Sequence, residues 1–350
     1  MSLASLSVNQ LRSLGPAALE FGRHLNLIHG PNGSGKTSIL EAAFLLGRGR
    51  SFRTRSTEQL ISRGQSHLAV FGQTIDPAHR IGFEYRRDTA YTARLDGQDV
   101  RSLAELPKAF FVEAIDPEIH RLVEGVPGER RRWLDWGVFH VEPSFLEHWM
   151  RFSRALRQRN AALKQGTDPK VWNGELVLHG ECVAAQRSQW FEAIKPRLNE
   201  TIHRLAGLDV ELICYRGWGT DRSLTEALDE GLSRDLARGS TLAGPQRADV
   251  QLRIGGKAAR ESLSRGQQKL VASALVLALL GHLRDQGGAA PTLLLDDPAA
   301  ELDSERLGRL VDLVGELDCQ LILTSLDPDL RIFGRPEHMF HVEQGIVQRL

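Results

Sequence analysis

Gly30-Pro31-Asn32-Gly33-Ser34-Gly35-Lys36-Thr37 fits the pattern G-x-x-x-x-G-K-[ST] at every position. Glycines at 30, 33 and 35 let successive N–H groups turn toward one anion, and a helix N-terminus behind them adds partial positive charge. In such a loop Lys36 reaches the β and γ phosphates of a nucleotide and the Thr37 hydroxyl binds Mg2+. A second cluster closes Thr292-Leu293-Leu294-Leu295-Asp296-Asp297, an apolar run that ends in two carboxylates. There Asp296 is expected to hold Mg2+, directly or through water, and Asp297 to orient an attacking water. The third is Leu263-Ser264-Arg265-Gly266-Gln267-Gln268-Lys269. Ser264 is a good N-cap for the apolar helix 270–280, and the same capped N-terminus is an anion site able to meet a phosphate presented by another chain.

These clusters need particular elements to hold them. The phosphate loop requires a strand before it and a helix after it. Leu25-Asn26-Leu27-Ile28 reads as a buried strand, and Ile39, Leu40, Ala42, Ala43 and Leu46 fall at helical spacing, with Gly47 placed to cap the end. Leu3 to Val8 and Leu19 to Phe21 read as strands joined by a turn with Gly15-Pro16, and Gly47 to Arg55 as a basic surface loop. Leu68 to Gln73, Ile81 to Tyr85 and Tyr91 to Leu95, the last followed by Asp96-Gly97, read as an antiparallel sheet. From about Leu122 the chain turns helical over Arg130 to Trp136, Phe145 to Lys164 and Glu175 to Leu205. A strand at Glu211 to Tyr215, a helix at Leu224 to Ala237 and a strand at Val250 to Ile254 follow. The expected division is an ATPase lobe in two halves, 1–118 and 286–350, around a mainly helical insertion at 119–240 and a signature segment at 241–285.

Composition narrows the partners only slightly. Lys+Arg and Asp+Glu both number 44, so net charge argues for no polyanion and any such site must arise from local clustering. Cys182, Cys214 and Cys319 lack zinc or disulfide spacing and read as buried hydrophobes in a reducing compartment. The N-terminus has no leader character, and the longest apolar run, 270–280, is too short to span a bilayer. A cytoplasmic protein with no membrane partner is expected. Trp133 and Trp136 read as core, and the face carrying Arg151, Arg154 and Arg157 as solvated.

Taken together, the three clusters resemble the ATP-binding-cassette superfamily, whose signature is a Ser-x-Gly-Gln helix start. Spacing and the remaining motifs narrow the resemblance to the RecF recombination mediator family of bacteria, over nearly the whole chain. Those motifs are 47–52, Arg131-Arg132-Trp133-Leu134-Asp135-Trp136-Gly137, Gln158-Arg159-Asn160-Ala161-Ala162-Leu163, Gly244-Pro245 with Arg247 and Asp249, and Glu301-Leu302-Asp303. The resemblance implies an α/β fold, an ABC-type P-loop ATPase head whose mixed sheet and helices carry an antiparallel β subdomain, with a helical lobe inserted.

It also implies that two protomers sandwich two ATP molecules head to tail. Gly30, Pro31, Asn32, Gly33, Ser34, Gly35, Lys36, Thr37 and Ser38 of one copy would face Ser264, Gly266 and Gln267 of the other, with Asp303 at the seam, Thr324 near the phosphates and Arg12 aimed at the nucleotide. Lys36, Asp297 and Ser264 would be catalytic, Thr37 and Asp296 metal-binding, and ATP and Mg2+ the cofactors. Family membership implies a switch that binds single-stranded DNA and duplex/single-strand junctions, works with RecR and RecO, helps load recombinase at gaps and supports SOS induction. Asp297 stands where transporter cassettes carry Glu, and Thr324-Ser325 where they carry His, so weak, slow hydrolysis is expected. Glu113 occupies the position of a metal-contacting Gln. The arginines at 48, 50, 53 and 55 read either as DNA-phosphate contacts or as a solvated loop. Two alternatives are a transporter's nucleotide-binding subunit, which would carry the signature nearer the phosphate loop, and a P-loop phosphotransferase, which leaves Ser264 to Gln267 without a role.

Overall fold

A computed structural model describes the chain apart from Arg55, Ala289 and the side chain of Ala90; the reading of Arg55 therefore lies outside the described residues. The strands in chain order are β1 (Ser2–Asn9), β2 (Ala17–Glu20), β3 (Leu25–His29), β4 (His67–Ile75), β5 (Arg80–Arg86), β6 (Ala90–Leu95), β7 (Gln98–Asp99), β8 (Val112–Ile115), β9 (Glu211–Tyr215), β10 (Asp249–Ile254), β11 (Lys257–Ala258), β12 (Thr292–Asp296), β13 (Gln320–Ser325), β14 (His338–Glu343) and β15 (Ile346–Arg349). Two compact units divide them: Met1–Ile119 with Gly287–Leu350, and His120–Gln286. The stretch 241–285, expected as a separate segment, belongs to the same unit as the helical insertion. The physical reason is that β10 pairs with β9 along its length, so the signature helix and the insertion share one body.

The first unit has two six-stranded sheets. One is mixed, in the order β15-β14-β3-β13-β12-β8, parallel throughout except for β15. Its central strands are buried on both faces, which is why β12 and β13 read as uninterrupted apolar runs. The other is antiparallel, β2-β1-β4-β5-β6-β7, and alternates buried with open positions; β4 shows this over its whole length. The helix Lys36–Arg48 is covered all round: Ile39, Leu40, Phe44, Leu45 and Leu46 share one core with Leu3, Leu68 and Phe83 of the antiparallel sheet and Leu294 and Ile322 of the mixed one. Gly47 does not cap this helix. Gly49, left-handed at φ 62°, does, while a Cβ on Gly47 would stand 2.4 Å from Val112 and 2.5 Å from the Phe110 carbonyl. Gly47 is there because the helix lies against the segment leading into β8.

The second unit is built on helices Pro127–Val141, Phe145–Gln165, Asn173–Ala206 and Arg265–Asp285, with the small sheet β11-β10-β9. Trp133 is core, edge-on to Trp190 at 5.6 Å, and Gly137 gives the Trp190 ring its space. Two ion pairs, the first buried and the second partly buried, fasten these parts. Arg159 meets Asp235 at 2.7 Å and Arg187 meets Asp135 at 2.6 Å. Arg151 pairs with Glu147 on the solvated face. The three cysteines are free and half-buried, less enclosed than expected, and burial pushes the Cys214 thiol up to about 11. No helix among the described residues is long and apolar enough to cross a membrane.

Candidate nucleotide site

The phosphate loop forms because β3 ends at His29 and the chain must reverse into a helix within six residues, with Gly30, Gly33 and Gly35 all at positive φ. A Cβ on Gly30 would stand 2.1 Å from the Val342 carbonyl, so the approach of β14 by itself requires this glycine. Gly345 donates to the Ser34 carbonyl at 2.9 Å, fastening the loop to the β14–β15 turn. Lys36 Nζ donates to the carbonyls of Gly30 and Pro31 at 2.7 and 3.0 Å, and burial pulls its ammonium below the ordinary lysine value while Asp297 and Asp296 oppose.

Three observations fit a triphosphate here. No side chain among the described residues caps the helix at Gly35, and only the Ser38 N–H of its first turn bonds back to the Gly35 carbonyl, so the N–H groups ahead of it keep their capacity for an anion. The Ser34 hydroxyl is buried without a hydrogen-bond partner among the described residues. Both of these Lys36 hydrogen bonds go to carbonyl oxygens, which a phosphate would replace.

The carboxylates meet the loop through the sheet. β12 lies beside β13, and β13 beside β3, so Asp296, Thr324 and the loop come to one edge. Thr37 donates to Asp296, its oxygen 2.9 Å from each carboxylate oxygen. Thr324 donates to Asp296 at 2.7 Å and accepts the Asp297 N–H at 2.9 Å. Thr324 therefore sits between the two acids as a clamp. Asp297 is left-handed at φ 49°, a conformation Asp tolerates better than most residues, and burial pushes its carboxyl up while Lys36 pulls it down. Thr37 and Asp296 are hard oxygen donors side by side, the donor set Mg2+ takes when phosphates complete its shell. Ser38 is buried in the first turn of the helix.

Other expected residues lie elsewhere. Glu113 pairs in register with Leu293, three residues before Asp296, which leaves it roughly 10 Å short of the acids at a strand's rise per residue. Arg48 holds it at 2.9 Å, and burial raises its carboxyl. It is a buried ion-pair partner and no metal contact. Arg12 turns its guanidinium onto Glu41, at 2.9 Å through both Nε and Nη2. Arg53 is exposed and reaches Glu41 at 3.6 Å. Asp303 is exposed and caps Ser304–Gly315 through the Arg306 N–H. Glu41 went unnoticed in the sequence; the signal was a lone carboxylate inside a helix whose other faces are apolar.

In the second unit Ser264 caps Arg265–Asp285 reciprocally with Gln267, the serine oxygen accepting at 3.3 Å and the glutamine oxygen at 3.0 Å. Leu263, Gln268 and Leu270 are buried while Ser264, Arg265 and Gly266 face outward. The capping box realises the helix-initiation reading. The helix start is anchored from below and open above.

The profile of the RecF/RecN/SMC N terminal domain matches residues 2–347. The chain belongs to the RecF family. It is 43% identical over 362 residues to the DNA replication and repair protein RecF of Pseudomonas aeruginosa PAO1, covering 100% of this chain and 98% of that relative. It is 43% identical over 358 residues to that of Pseudomonas putida F1, covering 99% and 97%. Among solved structures it resembles the recombination mediator protein RecF-ATP in the RecFOR pathway, with TM-score 0.89, 26% identity, and coverage of 100% of this chain and 97% of that one. A head of Smc bound to the C-winged helix domain of ScpA shares the fold at TM-score 0.60 and 18% identity, covering 100% and 97%. RecF membership accounts for Ser264 to Gln267, which the phosphotransferase reading leaves idle, and for the long insertion between the phosphate loop and the signature, which the transporter reading does not expect.

Proposed function

We propose that this chain is an ATP-controlled DNA-binding switch of recombinational repair and fork maintenance, in which two copies close head to tail over two ATP molecules. The observation that carries the reading is Gly266. Among the described residues, and setting aside its chain neighbours and its own helix backbone, no heavy atom lies within 4 Å of the place where its Cβ would stand, so packing against the rest of the fold does not call for a glycine there. Glycine inside a helix costs about 0.5–1 kcal/mol relative to alanine. The open space above an uncrowded, capped helix start suits the phosphates of a nucleotide held by a second copy.

Within each site Gly30 to Ser38 wrap the phosphates and Lys36 exchanges two carbonyls for phosphate oxygens. Thr37 and Asp296 would hold Mg2+, which when bound neutralises phosphate charge. Asp297 orients the attacking water, and Ser264, Gly266, Gln267 and Asp303 of the other copy close the seam. The γ-phosphate is bound by both copies at once, so it favours the paired state and its loss removes that bias. Weak, slow hydrolysis follows from the short Asp297 side chain. Single-stranded DNA and duplex/single-strand junctions are the DNA partners this reading assigns, with RecR and RecO as mediator partners, recombinase loading at gaps and SOS support as the outcome, in the cytoplasm.

Sedimentation with ATP, with ADP and without nucleotide tests it. Wild type should sediment as a dimer with ATP alone and Lys36→Ala as a monomer throughout; a wild type that binds ATP and stays monomeric contradicts the reading.

A further inference from the structure

The carboxylate of Glu41 is fully buried and sits in the middle of the phosphate-loop helix, where two segments converge on it. Arg12, from the β1–β2 connection, is bidentate to it at 2.9 Å. Ser51 donates to it at 2.5 Å, and the same serine oxygen accepts the N–H groups of Arg53 and Thr54, so it organises the start of the basic loop. Arg53 itself stands 3.6 Å away, outside hydrogen-bond range and about half exposed. One buried carboxylate thus has one guanidinium hydrogen-bonded to it and a second already paired with it at longer range, short of a hydrogen bond.

Arg12 is also held close to the nucleotide site. A Cβ on Gly35 would stand 2.8 Å from Leu14 and 3.8 Å from the Ser13 hydroxyl, so the connection that carries Arg12 lies against the phosphate loop. Its backbone is fixed at φ 55°, with its N–H on the Leu60 carbonyl at 2.7 Å and Leu11 bridged to Ile61. Only the side chain is left to move. Toward Glu41 it makes an ion pair; toward the loop it would meet the charge of a triphosphate. A buried carboxylate that loses its cation without replacement is strongly unfavourable.

We propose that Glu41 is a positioning residue that exchanges cations: when nucleotide draws Arg12 toward its phosphates, Arg53 closes onto Glu41 and carries the basic loop with it. The inference rests on the reading of Arg12 as a nucleotide-facing residue. It supplies a physical link between nucleotide occupancy and the segment that presents Arg53, through one carboxylate and without any change of fold. Protons need not move, since both cations are guanidiniums that keep their charge.

The test is a cycle of nucleotide affinities by titration with a fluorescent ATP analogue. Arg12→Ala should weaken binding about tenfold. Glu41→Gln, which keeps shape and removes the competitor, should tighten it several-fold, and should do nothing when combined with Arg12→Ala. Glu41→Asp should return affinity toward wild type. Arg53→Ala, a surface change that will not endanger folding, should weaken ATP several-fold because Glu41 then has no replacement cation. In wild type ATP should also slow tryptic cleavage after Arg53, and in Glu41→Gln this protection should vanish. Tightening by Glu41→Gln that persists without Arg12, or an Arg53→Ala variant with wild-type affinity, overturns the exchange. Unchanged affinity in Arg12→Ala removes Arg12 from the nucleotide site and the exchange with it, while an ATP-dependent dimer would still stand.

Discussion

Thr324 has no chemistry of its own, yet two acids depend on it. Its hydroxyl donates to Asp296 and accepts from the Asp297 backbone, with the side chain fully buried. Thr324→Val keeps the volume and removes both bonds, leaving the Asp297 N–H unmatched at about 1–3 kcal/mol before relaxation and Asp296 with Thr37 as its remaining hydroxyl donor. A lower urea midpoint of unfolding and a fall in ATP hydrolysis larger than any fall in ATP affinity are expected. Asp297 behaves in the opposite sense. Burial raises its pKa above the unfolded value, so the folded chain binds that proton more tightly. Its stabilising contribution is therefore present at acid pH and lost as pH rises through the folded value. At pH 7.5 Asp297→Asn should raise the thermal midpoint while cutting hydrolysis about 100-fold or more, the range seen when a base is removed, with ATP binding retained. A thermal midpoint that falls would show that the carboxylate stabilises its surroundings.

Elements were legible in proportion to how local their signals are. β12 and β13 announce themselves as apolar runs because parallel central strands are buried on both faces, and Ser264 marks its helix because a capping box is encoded within four residues. β8, β14 and β15 did not stand out. In β14 only Phe340 and Val342 are buried, His338 and His341 interrupt the pattern, and its place beside β3 depends on a partner some 300 residues away. Glu113 was misplaced for the same reason: which strand neighbours β12, and in what register, is written in no short stretch. Gly47 was read as a cap because the sequence does not show Val112 and Phe110 pressing on it. The motif around Arg159 gains a structural meaning. Arg159 is fully buried and bonds Asp235, Thr241 and Asn173, tying helix Phe145–Gln165 to helix Leu224–Arg238, the start of Asn173–Ala206 and the loop at 241. Asp235→Ala leaves that guanidinium without its counter-charge and should cost about 3–5 kcal/mol. Denaturant unfolding followed by tryptophan fluorescence checks this; a loss under 1 kcal/mol would mean that water repairs the site.

At the scale of the whole chain, the phosphate loop belongs to one compact unit and the signature helix to the other. The first unit holds a loop with an uncapped helix and two acids, and the second a capped helix with an open glycine. In the proposed switch a working site joins the loop of one copy to the signature of another. Mixing two inactive variants tests this most directly. Lys36→Ala damages only the loop side and Ser264→Arg only the signature side, so each alone should hydrolyse ATP at background rates. In a mixed pair one of the two sites combines an intact Lys36 with an intact Ser264, and the mixture should regain hydrolysis that rises with total protein concentration. A mixture as inactive as its components, although ATP still brings the two together, would contradict the shared site.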